Sequence, residues 1–197
     1  RAGDPKNASA SVTAAATRLL VEASQLARDG RELPSSSELA DILITAAGDE
    51  TLEPAFRAQA LQLPSEADIA REIGSNIDPD AIFEARRAVF DAIGTKGAEL
   101  FVRLSGELPK GTYSPAADDA GRRALAAMAL AYSAAAEDSP ARVSAAFKAA
   151  DNMTMLAATL QILVHQFPDA PETAEALAAF EERFGDNPLV MDKWMSI

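Results

Sequence analysis

Cysteine is absent from this 197-residue chain, and histidine occurs once, at His165. The first absence excludes disulfide frameworks, thiolate metal sites and cysteine nucleophiles. The second excludes a metal centre built on two histidines one helical turn apart. Positive charge is also short: 18 Lys and Arg against 30 Asp and Glu leave a net charge of −12. Nucleic-acid binding needs a concentrated positive surface, so no nucleic-acid partner is expected. The only adjacent basic pairs, Arg86–Arg87 and Arg122–Arg123, fall inside helical patterns and read as helix-surface or interhelix pairing residues. No apolar run approaches the roughly 20 residues that cross a bilayer. The N-terminal RAGDPKNASA has no signal-peptide core. The expectation is a cytoplasmic protein without a membrane partner.

Chemistry-bearing patterns are equally sparse. The Gly74–Asn76 and Lys110–Thr112 segments lack the spacing of a phosphate-binding loop. His165 stands three residues before Pro168, near a helix end where a cation suits the dipole, and no serine partner sits beside it. Asp118–Asp119 and Glu181–Glu182 are neighbours in sequence, which places them on different helix faces and rules out a carboxylate clamp. No catalytic and no metal-ligating residue is assigned, and no cofactor is expected in this chain.

What the chain has in quantity is alanine, 44 residues of it. Alanine has the best helix propensity, is poor in strands, and lets helices approach closely. The fold class is all-α. Helix starts are marked by a capping residue followed by proline at Asp78–Pro79, Ser114–Pro115, Ser139–Pro140 and Asn187–Pro188. Ser65 adds a weaker capping arrangement, with the acidic Asp68 three residues on. Gly30, Gly48 and Gly74 mark stops.

Between these marks the sequence predicts about ten helices, at 9–29, 36–47, 51–62, 66–73, 79–105, 115–136, 140–150, 153–166, 171–184 and 188–197. Helical stripes such as Ile82, Ala85, Val89, Phe90 and Ile93, or Leu125, Met128, Ala129 and Tyr132, support the longer ones. Gly94 and Gly97 are candidate interruptions of the fifth. Short loops join successive helices as antiparallel pairs, the pattern of a HEAT- or armadillo-like α-solenoid, with an irregular bundle as the alternative. No linker divides the chain, so 1–197 reads as one helical domain, with Ser105–Tyr113 expected as a long surface loop.

Two compact motifs remain, N-M-T at Asn152–Thr154 and D-K-W at Asp192–Trp194. On physical grounds Asn152 is a helix cap and Met153 a flexible core filler. Thr154, Asp192 and Lys193 gain no activity from their spacing, and Trp194 reads as a packing residue. Together with LQLPSEADIA at Leu61–Ala70, I-D-P at Ile77–Pro79 and G-R-R-A-L at Gly121–Leu125, these motifs occur in the order of a known family. The chain resembles the C-terminal helical domain of bacterial aminopeptidase N, a family of zinc-dependent exopeptidases.

The resemblance implies a piece of a zinc enzyme without that enzyme's His-Glu-x-x-His. It implies a domain that caps the catalytic domain, shapes the cavity through which peptides enter and amino acids leave, and has the parent's catalytic and other domains as partners. Zinc belongs to the resembled parent. Asn152, Met153, Thr154, Asp192, Lys193 and Trp194 are then structural or cavity-lining residues. The chain departs from the family at Lys6–Ser11, where aromatic residues are usual. It departs again at Met155 and Met195, where an acid and an aromatic residue are common. The family domain continues beyond D-K-W, whereas this chain stops at Ile197, so truncation and self-association through the last helix are expected. The rival reading is an independent helical-repeat scaffold that binds a protein partner.

Overall fold

The computed structural model describes the backbone of residues 5–108 and 113–195, and the side chains of 12–108, 113–192, 194 and 195. Among the described residues there are eleven helices and no strand: α1 (Pro5–Arg28), α2 (Ser37–Gly48), α3 (Pro54–Ala60), α4 (Glu66–Ile73), α5 (Pro79–Lys96), α6 (Ala98–Ser105), α7 (Ala117–Glu137), α8 (Ala141–Ala149), α9 (Met153–Gln166), α10 (Pro171–Phe184) and α11 (Pro188–Met195). The chain is an all-α, solenoid-like array. No described helix is long and apolar enough to cross a membrane.

The caps form from local side chains. Ser65 Oγ accepts from the Asp68 N–H at 3.1 Å and donates to its carboxylate at 2.6 Å. Asp78 Oδ1 accepts from the N–H groups of Asp80 and Ala81. Each satisfies donors that the first helical turn leaves without partners. Gly30 and Gly74 adopt φ of +65° and +76°, the left-handed conformation that glycine enters without a Cβ penalty. Ser114–Pro115 starts its helix late, because Ser114 Oγ accepts from the Ala116 N–H and the first turn of α7 opens at Ala117. The middle of the Ser105–Tyr113 loop, 109–112, lies outside the described residues.

The long fifth helix expected over 79–105 is two helices. The break falls at Gly97, which ends α5 and precedes α6. Gly94 does not interrupt. It is fully inside α5, and a Cβ there would lie 2.7 Å from the Tyr132 carbonyl oxygen of α7. Gly121 plays the same part where α7 meets α3, with a Cβ only 2.7 Å from the Ala55 nitrogen. These two glycines set backbone-to-backbone contact rather than helix ends.

Two apolar cores lie on different faces of α7. The first gathers Leu20, Leu43, Leu61, Ile69, Ile93, Phe101 and Tyr132. The second gathers Leu130 and Ala134 of α7 with Phe147, Leu156, Leu160, Leu163 and Phe180, and Val190 and Trp194 of α11 pack at its edge. In the first core the Tyr132 ring stacks between Phe90 and Phe101, with centroid separations of 4.1 and 4.8 Å. Burial of this tyrosine pushes its phenol well above the usual range.

Candidate functional site

The six motif residues occupy two helices. Asn152 caps α9: its Oδ1 accepts from the Met155 N–H at 3.0 Å, and its Nδ2 donates to Asp151 at 2.8 Å. Met153 is half-buried against the second core, and Thr154 is exposed. On α11 Asp192 is exposed, while Trp194 is half-buried with its indole N–H buried and without an acceptor among the described residues. The Lys193 side chain lies outside the described residues. Leu189 and Met195 of the same helix are 78% and 77% exposed. His165 is exposed at the end of α9.

Beside the Asn152 cap is a cleft of about 200 Å³, walled by α7, the end of α8, the start of α9 and the segments flanking 109–112. Ser105, Leu108, Tyr113 and Ser114 line it, with Leu130, Ala146, Ala149 and Ala150 adding apolar surface. Arg123, Asp151, Asn152 and Met155 supply the remainder. Among the described residues that line it, Asn152 is the motif residue.

Arg123 is the residue that residue-by-residue reading of the sequence missed. It is only 4% exposed, whereas its neighbour Arg122 is exposed and pairs with Asp118 at 2.8 Å. The Arg123 Nη2 donates to the Ser114 carbonyl at 2.8 Å, and its guanidinium lies 4.6 Å from the centre of the Tyr113 ring. Its Nε is buried with no acceptor, and no carboxylate is paired with it among the described residues. Such a group is costly to leave unpaired. The signal was in the spacing: Arg123, Ala126 and Leu130 form one helical stripe, and the last two are core residues.

Zinc does not fit the donors described here. Among the described residues no three of His, Cys, Asp or Glu come together as ligands. The acidic pairs serve other ends: Asp118 holds Arg122 in the first turn of α7, and Glu181 and Glu182 are solvated.

An all-α repeat array of this kind, with a small cleft between its helices, defines a helical-repeat domain. A family model described as a domain of unknown function with ARM repeats, DUF3458_C, matches residues 3–197. The chain belongs to this family. Aminopeptidase N of Caulobacter vibrioides is 38% identical over 162 residues, covering 80% of this chain and 18% of that protein. Aminopeptidase N of Escherichia coli is 30% identical over 169 residues, covering 85% of this chain and 19% of that protein. The crystal structure of Legionella pneumophila aminopeptidase A in complex with aspartic acid superposes with a TM-score of 0.77 at 18% identity, over 98% of this chain and 23% of that one. That last likeness concerns the fold. The chain spans about a fifth of the length of these relatives. The similarity to the C-terminal helical domain of aminopeptidase N, carried first by the motifs, thus extends over four-fifths of the chain or more.

Proposed function

We propose that this chain is a non-catalytic helical part of an aminopeptidase, one that packs beside the catalytic part and shapes the path for peptides and released amino acids. The observation that carries this reading is the match to aminopeptidase N over four-fifths of the chain but less than a fifth of the relative. The donor set supports it, since one exposed histidine and no cysteine leave zinc and the scissile bond to residues elsewhere in such an enzyme. The same matches favour this role over an independent protein-binding scaffold.

The test is an exchange. This chain replaces the matching segment in the full-length Caulobacter enzyme, and substrates of different length are compared. Hydrolysis of a one-residue chromogenic substrate should stay close to that of the parent. The KM for long peptides should change relative to that for short ones. An exchange that leaves the length preference untouched would contradict a role in access.

A further inference from the structure

Two arginines are buried among the described residues, Arg57 and Arg123. Arg57 is occupied in closing α2, where its Nε donates to the Ala47 carbonyl at 2.8 Å. Arg123 is different, because it lines a cleft; its Nε, like the Nη2 of Arg57, is buried with no acceptor among the described residues. The start of α9 borders the same cleft through Asp151, Asn152 and Met155. Asn152 takes the Met155 N–H, which leaves those of Met153 and Thr154 without acceptors among the described residues. A guanidinium and the positive end of a 14-residue helix therefore converge on one concavity.

We propose that this cleft binds a free small-molecule carboxylate, held by Arg123 and the first turn of α9. A planar guanidinium matches a carboxylate in shape as well as charge, and helix N-termini favour anions. The Tyr113 ring against Arg123 and the carbonyl of Ser114 on its Nη2 fix the orientation of the fork. Charge selects the class of anion. Asp151, an exposed residue, also lines it, so among the described residues the cleft offers one cationic side chain and one anionic one. That balance tolerates a single negative charge and disfavours phosphate or sulfate. The volume suits a small organic acid, and the apolar surface of Leu130, Ala146, Ala149 and Ala150 suits its carbon chain. This site is independent of the access role proposed above, and either can fail without the other.

The test uses the 197-residue chain labelled with ¹⁵N, titrated at constant ionic strength and pH with acetate, acetamide and inorganic phosphate. Because Arg123 Nε is shielded from water, its N–H is a resolvable probe at the site. Acetate should shift that resonance and the Met153 and Thr154 amides together, and saturably. Acetamide, of the same shape without charge, should bind at least roughly tenfold more weakly, and phosphate should bind more weakly than acetate. Arg123→Gln should abolish the acetate response at Met153 and Thr154. Asp151→Asn, an exposed change, should strengthen acetate binding roughly twofold or more and relax the discrimination against phosphate. The proposal is overturned if phosphate outcompetes acetate on the unaltered chain or acetamide binds as well as acetate. It is also overturned if Arg123→Gln binds normally. Should Arg123→Gln unfold, an Asp151→Asn chain with unchanged anion preference overturns it.

Discussion

The Tyr132 hydroxyl donates to the Leu61 carbonyl at 2.8 Å across 71 residues of sequence. The bond ties α7 to the end of α3, and the ring that carries it is stacked on both faces. Replacing Tyr132 by Phe keeps the stack and leaves the Leu61 carbonyl short of its donor. The expected loss is about 1–2 kcal/mol, or roughly 2–8 °C in melting temperature for a chain of this size. Thermal denaturation of the variant followed by circular dichroism checks it.

The same residue gives a pH dependence. Burial raises the Tyr132 pKa in the folded state, so the folded chain retains its proton where the unfolded chain, with an ordinary value of about 10, has lost it. The unfolded state then binds fewer protons, and stability falls as pH rises above about 10. Below that value this contribution is constant. Denaturant unfolding at a series of alkaline pH values should show a steeper decline for the native sequence than for Tyr132→Phe. Equal slopes would count against the burial.

Gly94 and Gly121 test the close helix contacts. Alanine should gain up to about 1 kcal/mol of helix propensity at either position. Each Cβ would meet backbone at 2.7 Å, however, where no side chain can yield. Overpacking of this kind costs about 1–3 kcal/mol, so both substitutions should destabilise. Gly106→Ala, whose nearest non-neighbour atom would be 3.5 Å away, should be close to neutral. Melting temperatures of the three variants decide the sign.

These glycines mark the boundary of what the sequence made legible. The caps at Ser65, Asp78, Asn152 and Asn187 were readable because donor and acceptor lie within three residues of each other. The span of α10, Pro171–Phe184, follows from its proline start and its apolar stripe. Gly97 and Gly94 look alike along the chain, and only the position of α7 makes Gly94 a contact point. Arg123 was hidden by its identity. An arginine beside an arginine suggests solvent, although its place in the stripe of Ala126 and Leu130 pointed inward. The cleft itself draws on residues from Ser105 to Met155 and has no local signature.

The last helix carries a separate expectation. Leu189 and Met195 are 78% and 77% exposed, and Trp194 beside them has a buried indole N–H without an acceptor among the described residues. Exposed apolar groups on one short helix favour association. Light scattering of the chain should show mass rising with concentration, and Leu189→Glu combined with Met195→Glu should reduce it. A clean monomer with strong amide protection through Trp194 is the contrary result.

The most direct test of the non-catalytic role is an assay of the purified 197-residue chain against alanyl and leucyl chromogenic substrates, with its zinc content measured after extensive dialysis. The account predicts no release of amino acid and no stoichiometric zinc. Hydrolysis that follows the chain through successive purification steps, or one tightly held ion per chain, would contradict it.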